Sequence, residues 1–125
     1  MFTELITWIR VADLDRSLQF YERALGLRRV LHQGDCAILE VTNTACLGLC
    51  SRPEPRDTPG LLLCFVTPDV VGTTDALVAS GATLEQAPRE NPTYAIEHAF
   101  LLDPDGHRIE VQRFLDPEWR SDPGL

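Results

Sequence analysis

The chain has 125 residues, 44% of them hydrophobic and 24% charged, which fits one globular unit and leaves no room for two independent cores. Its net charge of −8, from 19 acidic against 11 basic residues, argues against a nucleic acid or an anionic membrane surface as partner, because both are gripped by clustered cations. All 11 basic residues are arginine, so Schiff-base chemistry on a lysine amine is excluded and any anionic group would fall to an arginine clamp.

No apolar run approaches the ~20 residues that a membrane span needs. Met1-Phe2-Thr3-Glu4 is not a basic segment leading into an apolar one, so a cytoplasmic location is the expectation. In that compartment Cys36, Cys46, Cys50 and Cys64 are expected as reduced thiols packed like small hydrophobes. None forms a Cys-x-x-Cys pair or a Cys/His cluster with zinc-finger spacing.

In chain order, Leu5 to Val11 alternates and reads as a strand. Asp13 or Asp15 can cap a helix over Leu14 to Leu25, in which Leu14, Leu18, Tyr21 and Leu25 form one apolar stripe. Gly26 is a natural stop for that helix. Three β segments follow, Arg28 to His32, Cys36 to Val41 and Ala45 to Cys50, with Gly34 and Thr42-Asn43-Thr44 as turns. Residues 53–60, rich in proline, form a linker. The second half repeats the order: a strand Leu61 to Thr67, a helix opened by Pro68-Asp69 and closed near Ser80-Gly81, and a strand Thr83 to Gln86. Then come a loop Ala87 to Pro92, a strand Tyr94 to Leu102, a turn Asp103-Pro104-Asp105-Gly106 and a strand Arg108 to Phe114. The recurrence after about 60 residues suggests duplication of one unit. It divides the chain into module one at about 4–52, module two at about 61–115, and a tail at 116–125 in which Trp119 can pack back.

Two segments carry a resemblance. Val11-Ala12-Asp13-Leu14-Asp15-Arg16-Ser17-Leu18-Gln19-Phe20-Tyr21, followed by Leu25-Gly26-Leu27, resembles the opening of vicinal oxygen chelate proteins. Leu102-Asp103-Pro104-Asp105-Gly106-His107-Arg108-Ile109-Glu110-Val111 resembles their closing hairpin. This is the glyoxalase, bleomycin-resistance and extradiol dioxygenase superfamily. The resemblance implies an α+β fold of paired βαβββ modules curled around a half-open sheet cavity. It further implies homodimers, often with the partner completing the cavity. In catalytic members a divalent metal, held by the first and last strands of each module, acts as a Lewis acid.

Carried onto this chain, those ligand positions fall on Ile6, near Gly48, on Leu61 or Leu62, and on Glu110. Only Glu110 is a ligand type, and one carboxylate does not hold a divalent ion, which needs three or four donors. Slipping the first register by one residue offers Leu5 or Thr7 and still no good ligand. The expectation is therefore no cofactor, with a divalent metal ion as the alternative.

Strand alternation groups Ile6, Trp8 and Arg10; Cys46, Gly48 and Cys50; His98 and Phe100; and Arg108, Glu110 and Gln112, expected to meet in one cavity. Trp8 and Phe100 would be its aromatic wall, Cys46, Gly48 and Cys50 its room, and His98, Glu110 and Gln112 its polar groups. A tryptophan on a sheet is more often core packing than a ligand platform, and that is the alternative for Trp8. His98 is either an exposed strand residue or the partner of Glu110 in a general-base pair. His107 is expected in solvent within its turn, and His32 on the surface. Arg89 and Tyr94 are candidate rim residues, beside a loop that can also be a plain connection. The function expected is binding of a small hydrophobic or aromatic molecule. The rival is a metal-dependent lyase, isomerase, dioxygenase or thiol transferase using Glu110.

Overall fold

Alternation from Leu5 to Val11 gives strand β1 (Leu5–Val11), which sends Ile9 and Val11 inward and leaves Trp8 and Arg10 on the other face. The computed structural model describes residues 1–53 and 60–120; positions 54–59 of the expected linker and 121–125 of the expected tail lie outside the described residues. Asp13, not Asp15, caps helix α1 (Leu14–Leu25), its carboxylate accepting from the Arg16 N–H at 3.1 Å. Gly26 ends the helix at φ 66°, a left-handed conformation in which a side chain would be strained. Strands β2 (Arg28–Gln33), β3 (Cys36–Thr42) and β4 (Ala45–Ser51) complete a sheet of order β1-β4-β3-β2, with β1 parallel to β4.

The second half repeats that plan. Strand β5 (Leu63–Val66) leads to helix α2 (Val70–Ala79), capped by Asp69 through the Gly72 N–H at 2.9 Å. Strands β6 (Thr83–Asn91), β7 (Ile96–Leu102) and β8 (Arg108–Phe114) give a second sheet of order β5-β8-β7-β6, with β5 parallel to β8. The fold is α+β, with two βαβββ modules and neither sheet closed. The helices pack on each other and each on its own sheet. One core takes Ile9, Leu18, Leu49, Leu77, Leu101 and Ile109 from both halves.

Strands β2, β3 and β4 each run one residue past the sequence expectation, and the second half departs further at β5, β6 and β7. β5 is shorter than Leu61 to Thr67, and β7 begins at Ile96 because Ala95 turns the chain at φ 51°. β6 runs on to Asn91 through the segment Ala87 to Pro92, expected as loop. Pro88 is tolerated because β6 is the outer strand of its sheet, and register shifts on both sides of Gln86 absorb the misfit.

The modules are tied through the turn between β7 and β8. The Tyr21 hydroxyl donates to Asp103 at 2.7 Å, and the other Asp103 oxygen accepts the Asp105 and His107 N–H groups, each at 2.9 Å. Asp105 accepts from the Ala12 N–H and from Arg16, both at 3.0 Å, and from the Ser17 hydroxyl at 3.3 Å. His107 is 2% exposed, not solvated as expected, and its Nε2 donates to the Arg10 carbonyl at 2.7 Å. The chain bends it under β1, where an unpaired imidazole would be costly.

The cysteines also depart from expectation. Cys36 and Cys50 face each other across β3 and β4 with Cα atoms 4.2 Å apart and form a disulfide; Cys46 and Cys64 are free. Cys46 and Cys50 share one strand and do not pair, as their spacing along it requires.

Four measurements check this framework. Tyr21→Phe strips one donor from buried Asp103 and should cost about 1–3 kcal/mol in urea unfolding. Burial, then Asp103, holds the Tyr21 phenol well above its usual range. Above about pH 10 the unfolded chain loses that proton first, so stability should fall with rising pH, and fall less steeply in Tyr21→Phe. Thiol titration of the unfolded, unreduced chain should find Cys46 and Cys64 only, and reduction of the Cys36–Cys50 bridge should destabilise by about 2–4 kcal/mol.

Candidate functional site

Each sheet has one face on the helices and one turned away, and the candidate residues lie on the outer faces. On sheet one the parallel register sets Ile6 beside Cys46, Trp8 beside Gly48 and Arg10 beside Cys50. The Trp8 indole lies directly over Gly48, where a Cβ would collide with it, yet Trp8 remains 50% exposed. Cys46 donates its S–H to Glu4 at 3.1 Å, and burial followed by Glu4 pushes the thiol up to about 11. Cys50 is taken up in the disulfide and offers no thiol.

On sheet two the antiparallel register sets His98 opposite Gln112 and Phe100 opposite Glu110. His98 Nδ1 lies 2.7 Å from Glu110, with the two residues only 6% and 8% exposed. Toward a carboxylate acceptor Nδ1 carries the hydrogen, and in the neutral imidazole Nε2 is then an acceptor. Phe100 meets the His98 ring edge-on at 5.0 Å and carries Arg108 over its face at 5.3 Å. Gln112 donates to Glu110 at 3.4 Å and accepts from the Cys64 thiol at 3.3 Å. Desolvation and the nearby Glu110 push that thiol up to about 12, so it stays protonated at neutral pH.

The candidates thus lie on two sheets, one set on each. Among the described residues no hydrogen bond, ion pair or ring contact joins the Trp8 face to the Glu110 face. Tyr94 is exposed in the turn before β7, and Arg89 pairs in register with His98 on the outer strand. An apolar cleft of about 190 Å³ between the modules, lined by Thr7, Cys46, Leu62 and Phe65, falls short of the ~300 Å³ at which ligand pockets begin.

Two residues escaped the sequence reading. Cys64 stands beside Glu110 across the parallel β5–β8 pair, and Gln86 stands opposite Phe100. The run Leu61 to Val66 is apolar throughout, so alternation does not select Cys64, and Gln86 reads as a strand end. For metal chemistry the donor set is thin. Ile6 and Gly48 offer no lone pair, His98 Nδ1 is committed to Glu110, and no group of three or more His, Cys, Asp or Glu among the described residues could hold an ion.

Gly48→Ala checks the indole packing. It should lift Trp8 off the sheet, cost about 1–3 kcal/mol, and change Trp8 fluorescence when read in a Trp119→Phe background.

The chain is 32% identical over 124 residues to a lactoylglutathione lyase of Haemophilus influenzae, covering 85% of this chain and 88% of that protein. It is 26% identical over 117 residues to a virulence protein of Salmonella typhimurium, covering 86% and 81%. Among solved structures, a glyoxalase/bleomycin resistance protein/dioxygenase family enzyme from Burkholderia phytofirmans superposes with a TM-score of 0.79 at 23% identity, over 88% of this chain and 97% of that one. A glyoxalase-related enzyme from Fulvimarina pelagi gives 0.77 at 20% identity, over 91% and 88%. The model of the Glyoxalase/Bleomycin resistance protein/Dioxygenase superfamily matches residues 4–111, and with the paired βαβββ modules this places the chain in that superfamily.

Proposed function

We propose that the chain binds a small hydrophobic or aromatic molecule on the outer face of β7 and β8, without the divalent metal of catalytic relatives. The observation that carries this is the buried His98–Glu110 pair beside Phe100 on a face that points away from the core. Burying two ionisable groups is costly, and such a pair on an open sheet is a poor contributor to stability. Convergent polar groups against an aromatic ring are what a ligand site requires. A second copy of the chain, in a homodimer, would roof this face and bring Trp8 of the other module toward it. We take the cytoplasm as the location, where reductants would tend to open the Cys36–Cys50 bridge.

A second reading has its own support. The 32% identity to a lactoylglutathione lyase favours an enzyme in which Glu110 and partner-chain ligands hold a divalent ion. Fold kinship alone does not carry that chemistry over.

A thermal-shift screen with aromatic ligands separates the two. Metal-free binding predicts a rise in melting temperature that chelator leaves unchanged; a ligand at a hundredfold excess over its Kd contributes about 2.7 kcal/mol. Zn²⁺, Ni²⁺, Mn²⁺ and Fe²⁺ alone should do nothing. A large metal-dependent rise that vanishes in Glu110→Ala, with near-stoichiometric metal by elemental analysis, would establish the enzyme reading instead.

A further inference from the structure

We infer that His98 and Gln86 form a paired acceptor and donor that select a neutral amide-type group, the C(=O)–N–H edge of a carboxamide or lactam, on the bound molecule. This rests on the reading of the β7–β8 face as a ligand site.

Among the described residues, three buried side-chain polar atoms have no hydrogen-bond partner: Thr74 Oγ1, Gln86 Nε2 and His98 Nε2. Thr74 belongs to helix α2. The other two share one face of sheet two. Gln86 is registered opposite Phe100, and Phe100 and His98, two apart on β7, point the same way. Gln86 and His98 are therefore diagonal neighbours, about 7–8 Å apart between Cα atoms. A single planar group fits between two side chains so placed.

Leaving such an atom unpaired costs about 1–3 kcal/mol, so two on one small face call for a shared cause. The backbone supplies a further sign. Register shifts fall on both sides of Gln86, between Leu84 and Gln86 and between Gln86 and Arg89. Such bulges re-aim a side chain and cluster near functional sites. They sit on the outer strand of the sheet, where the backbone can yield locally to admit a ligand.

The polarity of the pair sets the ligand class. In the neutral imidazole that gives its Nδ1–H to Glu110, the unpartnered Nε2 keeps a bare lone pair. Gln86 Nε2 offers N–H only. An anion would face the His98 lone pair with Glu110 behind it. A hydrocarbon would leave both atoms unmet. An amide or lactam gives its N–H to His98 and takes Gln86 N–H on its carbonyl, while its apolar part rests against Phe100.

The probes are benzamide, benzoate and toluene, titrated into the full chain while the His98 ring nitrogens are followed by ¹⁵N NMR. Benzamide should bind best and move the Nε2 resonance. Gln86→Leu should weaken benzamide about tenfold and leave toluene unchanged. Gln86→Glu, close in size but with the donor removed, should show the same loss and guards against a misfolded leucine variant. Benzoate or toluene binding as tightly as benzamide, or benzamide indifferent to both variants, would overturn the inference while leaving the ligand site standing. If none of the three perturbs His98, the face is not a ligand site and both readings fall.

Discussion

The acidic turn Asp103-Pro104-Asp105-Gly106 is the constraint on which the rest of the molecule depends. It belongs to module two, yet its two carboxylates hold the Tyr21 hydroxyl, the Ala12 N–H, Ser17 and Arg16 of module one. The next residue, His107, closes onto the Arg10 carbonyl. These contacts fix where β8 starts, and hence which residues of β8 face the core. Ile109 and Val111 go inward, and Glu110 and Gln112 must then point outward. The buried turn sets the phase of the strand that carries Glu110 and Gln112.

That phasing gives the two outer faces different chemistry. The module-one face is built around steric fit, with an indole on a glycine and a disulfide beside it. The module-two face is built around proton positions: a histidine oriented by a carboxylate, a glutamine, and a thiol kept protonated beside them. A metal site would need like donors from both modules. Here module one carries isoleucine and glycine at the matching places.

Much of this was legible in the residues. Asp13, the Leu14–Leu18–Tyr21 stripe and Gly26 announce α1 because capping and periodicity are local effects. Glu110 and His98 were placed on one face by simple alternation, and the structure pairs them. What stayed hidden depends on contacts distant in sequence. His107 looks like a solvated turn residue until β1 is seen to lie over it. The Cys36–Cys50 bridge follows from the β3–β4 register, which no spacing rule gives. The strand character of Ala87 to Asn91 was masked by Pro88, because proline signals a break unless the strand is known to be an outer one.

Pro88 has a consequence for assembly. An open sheet edge is a template on which another chain can add a strand, and so a route to uncontrolled polymerisation. Along β6 the proline deletes one backbone donor, two bulges disturb the spacing of the others, and Glu85, Arg89 and Glu90 add charge. A neighbouring molecule therefore finds no continuous ladder there. Growth by strand addition is thereby disfavoured along this edge.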